Sequence, residues 1–108
     1  MDRARAEAYP LRRREVVAAL VGQRTDLLLV GGLGAPTNDI AAAGDRPNFF
    51  PLWGAMGGAA SIGLGLALAQ PSKRVLVITG DGEMLMGMGS LATIGVVSPT
   101  NLSIVVLD

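Results

Sequence analysis

Gly80-Asp81-Gly82 is the tripeptide in this sequence best suited to chemistry. It ends the β-branched run Val75-Leu-Val-Ile-Thr79, which fits a central parallel strand, so it is expected in the turn that leaves that strand. A carboxylate placed there can hold a hard cation, while the flanking glycines let backbone N–H groups approach a phosphate closely. Glu83 follows at a helix start, where an acidic residue more often answers the dipole than transfers protons. An Asp-Gly turn after a strand is also a common structural device, so the tripeptide alone leaves both readings open.

Composition narrows the chemistry. The 108 residues contain no histidine and no cysteine, which removes imidazole ligands, the usual proton shuttle, thiolate nucleophiles and disulfides. Any metal must therefore sit on oxygen. Nine basic and nine acidic residues balance to zero, leaving no cationic footprint for nucleic acid. The charged lead-in over 1–14 has no apolar signal-peptide core directly after it, and a cytoplasmic protein is expected. The uncharged stretch from Pro47 to Ser72 includes the run from Gly54 to Ala69, which is nearly long enough to cross a bilayer, but the stretch is mostly Gly and Ala with prolines at its flanks, so no membrane span is expected.

The elements that must position the tripeptide read as a single α/β domain over 1–108. Val16, Val17, Leu20 and Val21 share one side of a helix that Gly22 closes. Asp26-Leu-Leu-Leu-Val30 reads as a buried strand opening into the glycine loop Gly31-Gly-Leu-Gly-Ala-Pro36. That loop fails the dinucleotide fingerprint, because Thr37 stands where the third glycine belongs. Thr37 or Asn38 is expected to cap a short helix to Ala43, followed by an extended piece over 48–52. A helix over 57–70 is expected to be buried on several faces. After the 75–79 strand come a helical region over 83–97, broken near Gly87 and Gly89, and a last strand over 102–107. Strands alternating with helices imply a parallel sheet with helices on both faces and ligands outside the carboxyl ends of its strands. Met84, Met86 and Met88 read as core or interface filler, and Trp53 as either packing or pocket wall.

From about Glu15 to Asp108 the sequence resembles the diphosphate-binding (PP) domain of thiamine diphosphate (ThDP) enzymes. The motifs are Gly80-Asp81-Gly82, Trp53-Gly-Ala-Met-Gly57 upstream of it, and the downstream strand ending in Asp108. Within that family Gly44-Asp-Arg-Pro47, Ala60-Ser-Ile-Gly63 and Leu91-Ala-Thr-Ile-Gly95 are most similar to the phosphonopyruvate and sulfopyruvate decarboxylase group. The resemblance implies a lyase acting on a 2-oxo acid with ThDP and Mg²⁺ (or Ca²⁺). Asp81 would hold the metal. Gly80, together with the N–H groups of Gly82 and Glu83, would lie against the diphosphate, with Gly34, Ala35 and Thr37 covering its other side. Gly54 would offer its carbonyl to the aminopyrimidine, and Met56 would support the bend between the cofactor's rings.

The sequence also departs from the family pattern. Asp108 aligns with the first member of an Asn-Asn or Asp-Asn pair whose second member usually binds the metal, so the resemblance implies a truncated PP domain. The glutamate that activates the cofactor belongs to a separate Pyr domain and has no counterpart here. Catalysis is therefore expected to need a Pyr-domain subunit or a homo-oligomer, with no catalytic residue from this chain. The related group often carries a histidine where this sequence has Gly58. The alternative is an inactive ThDP-fold binding or assembly module.

Overall fold

Leu27, Leu29 and Gly31 point to one side of a strand while Leu28 and Val30 point to the other, and this two-residue alternation is where the architecture begins. The computed structural model describes residues 3–108; Met1 and Asp2 of the lead-in lie outside the described residues. Four strands, β1 (Leu27–Gly31), β2 (Phe49–Pro51), β3 (Arg74–Gly80) and β4 (Leu102–Leu107), form one sheet in the order β2-β1-β3-β4. Every pairing is parallel. The helices are α1 (Arg3–Glu7), α2 (Arg13–Val21), α3 (Ala35–Ala42), α4 (Ala59–Ala69), α5 (Asp81–Met86) and α6 (Ser90–Val97).

Both faces of the sheet are covered, as the alternation of strands and helices implies. On one face Leu27, Leu29, Leu76 and Ile78 pack with Val17 and Val21 of α2 and Ile40 of α3. On the other, Val30 and Val77 pack with Leu52 and Ala59, joined by Ile62 and Leu66 of α4. Successive residues of β1 and β3 thus feed opposite cores, which explains the unbroken apolar runs at 27–30 and 75–78.

Helix α4 differs from the expectation. Its buried residues are Ala59, Ala60, Gly63 and Ala67, one stripe facing the sheet, while Leu68 on the outer side is 56% exposed. The small side chains bring the helix close to the strands: a Cβ on Gly63 would overlap Val77 Cγ2. Asn101 secures the end of this helix, its Nδ2 donating to the carbonyls of Ala67, Gln70 and Lys73 at 3.0, 3.1 and 2.8 Å.

Two further differences lie near the chain start. The lead-in contains helix α1, with an exposed Arg3–Glu7 ion pair that its charge alone did not suggest. Helix α3 begins at Ala35, earlier than a Thr37 or Asn38 cap implies. Gly34, at φ +89°, makes the turn that non-glycine residues resist, and Pro36 is preset for the first helical turn. Thr37 consequently lies inside the helix. Among the described residues no helix is long and apolar enough to cross a membrane.

Candidate functional site

The strand order makes β1 and β3 neighbours whose outgoing chains turn to opposite sides, and a crevice opens at their carboxyl ends. A cleft of about 610 Å³ occupies that edge. Leu33, Ala35 and Pro36 line it after β1, Met56 from the loop before α4, Gly80 at the end of β3 with Asp81, Gly82 and Glu83 of α5, and Leu107 and Asp108 at the end of β4.

Asp81 is the first residue of α5 and is exposed to the cleft. The β3–β4 register pairs Gly80 with Leu107, so Asp81 and Asp108 each follow directly after paired residues on adjacent strands. Parallel strands run about 4.8 Å apart, which brings the two positions to neighbouring points on the cleft wall. No group of three or more His, Cys, Asp or Glu side chains gathers around one point among the described residues. A cation here would take one or two carboxylates from this chain and the rest of its oxygens from ligand and water. Mg²⁺ accepts that donor set when it bridges phosphates.

Glu83 has a different place. Only 4% exposed, its Oε1 accepts hydrogen bonds from the N–H groups of Gly57 and Ala59, each at 3.1 Å, while Oε2 accepts from the Thr79 hydroxyl. Ala59 opens α4, whose first N–H groups have no partner within their own helix. The acidic side chain therefore answers the N-terminus of α4 and not only that of its own helix. Room for it comes from Gly32, where a Cβ would lie 2.5 Å from Thr79 Oγ1 and 3.0 Å from Glu83 Oε2. The loop that carries Gly57 also packs tightly on Gly87, where a Cβ would collide with the Gly57 carbonyl.

Of the residues singled out from sequence, the fold brings Ala35, Met56, Gly80, Asp81, Gly82 and Glu83 to one cleft. Gly34 and Gly54 are exposed and are not among the residues that line it. Thr37 is fully buried, and its hydroxyl donates to the Gly32 carbonyl at 2.9 Å, so its side chain shapes the glycine loop from within. Trp53 is 71% exposed and borders a shallow depression with Phe49 and Pro51. Met86 and Met88 are exposed too, at 68% and 56%, which excludes the core-filler reading for both within this chain.

Sequence reasoning did not assign the lead-in to the site, yet Tyr9, Leu11, Arg12 and Arg13 line the cleft. The arginine cluster was visible, but its anchor is tertiary: Arg13 Nε lies 2.5 Å from Oδ2 and Arg14 Nε 3.3 Å from Oδ1 of the fully buried Asp39 on α3.

A parallel sheet with helices on both faces, and a glycine-flanked carboxylate in the cleft at its switch point, define an α/β ligand-binding domain. Residues 32–108 match the family described as "Thiamine pyrophosphate enzyme, C-terminal TPP binding domain", and the chain belongs to that family. Thiamine pyrophosphate and ThDP are the same compound. The chain is 45% identical over 98 residues to sulfopyruvate decarboxylase subunit beta of Methanothermobacter thermautotrophicus, covering 91% of this chain and 52% of that subunit. It is 40% identical over 104 residues to phosphonopyruvate decarboxylase of Streptomyces viridochromogenes, covering 96% of this chain and 26% of that enzyme. The chain thus spans about half the length of the beta subunits it matches. The resemblance carried by Gly80-Asp81-Gly82 and its flanking motifs is borne out, for the family and for the decarboxylase group.

Proposed function

We propose that this chain is the ThDP- and Mg²⁺-binding part of a cytoplasmic 2-oxo acid decarboxylase of the sulfopyruvate and phosphonopyruvate type, and that it works only with a Pyr-domain partner. The observation that carries the reading is the meeting of Asp81 and Met56 in one cleft at the carboxyl edge of the sheet. Motifs far apart in sequence converge there with a spacing that a strand-end turn alone does not require.

In this reading Asp81 holds Mg²⁺, and Gly80 and the N–H groups of Gly82 and Glu83 face a phosphate oxygen. Gly34 and Ala35 cover the diphosphate from the β1 side, with Thr37 supporting their loop from beneath. Gly54 and Met56 receive the pyrimidine end, where a flexible thioether suits an irregular gap. Bound ThDP supplies the electron sink that takes up the pair left when CO₂ departs from the 2-oxo acid. The chain's own residues bind, orient and shield.

This reading assigns activation of the cofactor to a Pyr-domain glutamate, since Glu83, the glutamate at the cleft, is buried and committed to Gly57, Ala59 and Thr79. The partner is a separate Pyr-domain subunit, or a Pyr domain contributed within a homo-oligomer. Leu85, Met86, Met88, Leu91 and Val96 leave exposed apolar side chains on α5, α6 and the turn between them, suited to such contact. The test is CO₂ release from sulfopyruvate or phosphonopyruvate, with ThDP and Mg²⁺, by this chain and a candidate Pyr-domain subunit, separately and mixed. Release from the mixture alone is expected. Release from no mixture with either substrate contradicts the proposal.

A further inference from the structure

Burying a carboxylate is costly unless hydrogen bonds replace its hydration, and Glu83 is the buried acid that the roles above leave without a side-chain function. Its three donors come from separate places: Thr79 at the end of β3, Gly57 in the loop after β2, and Ala59 at the start of α4. Thr79 and Glu83 bracket Gly80-Asp81-Gly82, where β3 passes into α5, whereas Gly57 directly follows Met56 and Ala59 lies two residues further on. One side chain therefore ties together the two walls of the cleft.

We propose that Glu83 is a positioning residue whose carboxylate fastens the Trp53–Gly57 loop to the Gly80–Gly82 junction of β3 and α5, fixing the separation between the pyrimidine-facing and diphosphate-facing parts of the cleft. It rests on the cofactor reading above and adds to it a residue acting through Gly57 and Ala59, not through contact with reacting atoms. The packing around it is built to one spacing. Gly32 gives the carboxylate space, and the close approach of the Gly57 carbonyl to Gly87 leaves the loop no room to move further towards the end of α5.

A glutamine at 83 can still accept from both N–H groups through its carbonyl oxygen and can donate to the Thr79 hydroxyl, whereas alanine can do neither. The experiment compares native protein, Glu83→Ala and Glu83→Gln by amide hydrogen exchange without cofactor and by ThDP affinity with Mg²⁺ and the Pyr-domain partner. Glu83→Ala is expected to speed exchange at Gly57 and Ala59 at least about tenfold relative to Val77 in β3, and to weaken ThDP binding about tenfold. Glu83→Gln should restore both to within about threefold. Acrylamide quenching of Trp53, the single tryptophan, reports the same loop.

Unchanged exchange or unchanged affinity in a folded Glu83→Ala protein overturns the role. If Glu83→Ala does not fold, Glu83→Gln decides: retained protection and affinity support the clamp, and their loss overturns it. The two readings fail separately. ThDP uptake that is equal in native and Glu83→Ala proteins removes only the role of Glu83, whereas no uptake by native protein removes the cofactor reading and the positioning role with it.

Discussion

Asp81 and Asp108 follow directly after the paired residues Gly80 and Leu107, at the ends of two neighbouring parallel strands. Asp81 is exposed, so its role can be separated from folding. Asp81→Asn keeps the shape and removes the charge. It is expected to weaken Mg²⁺-dependent ThDP binding at least about tenfold while changing stability by less than about 0.5 kcal/mol, the usual range for a surface substitution. Calorimetric titration and denaturant unfolding of the same preparation check both halves.

Two glycines of α4 should behave oppositely. A Cβ at Gly63 would overlap Val77 Cγ2, whereas nothing lies within 4 Å of one at Gly65. Gly63→Ala is expected to destabilise by about 1–3 kcal/mol, because overpacking against a buried strand outweighs the gain in helix propensity. Gly65→Ala should be neutral or stabilising by up to about 1 kcal/mol. Urea denaturation midpoints measure the contrast, and equal effects would contradict the close approach of α4 to β3.

At Gly87 a Cβ would meet the backbone carbonyl of Gly57, an atom that cannot swing aside as a side-chain tip can. Gly87→Ala should therefore displace the loop that carries Met56. The expected result is a change in Trp53 emission and weaker ThDP binding, with the far-ultraviolet dichroism of the sheet retained. An unchanged Trp53 signal would count against this contact.

Asn101 donates to three carbonyl oxygens where α4 ends. Asn101→Asp preserves volume but places an acceptor where donors are needed. It should cost more than Asn101→Ala, which loses about 0.5–1.5 kcal/mol, the usual net worth of a hydrogen bond, because two of the three carbonyls can turn to water. Thermal unfolding of the two variants tests the order.

Much of the fold was legible because hydrophobic runs and glycine punctuation acted locally. The 102–107 strand, the breaks at Gly87 and Gly89 and the helix closed by Gly22 all appear at those positions. The start of α3 was harder to read, since Thr37 looks like a cap until the conformation of Gly34 and the Thr37–Gly32 hydrogen bond are known. The part of Glu83 was out of reach for the same reason: a first-turn acid suggests its own helix dipole, while its donors here lie more than twenty residues away at Gly57 and Ala59. Likewise, the arginines of the lead-in gave no indication of the buried Asp39 that holds them near the cleft. Local patterning announced the elements, while the contacts that shape the site depend on tertiary packing.

The most direct test of the central claim is calorimetric titration of ThDP into this chain, with Mg²⁺ and with chelator, alone and mixed with a Pyr-domain partner. Binding that requires Mg²⁺ and strengthens with the partner is the expected result. No ThDP binding in any mixture would contradict the account and leave the domain as a scaffold.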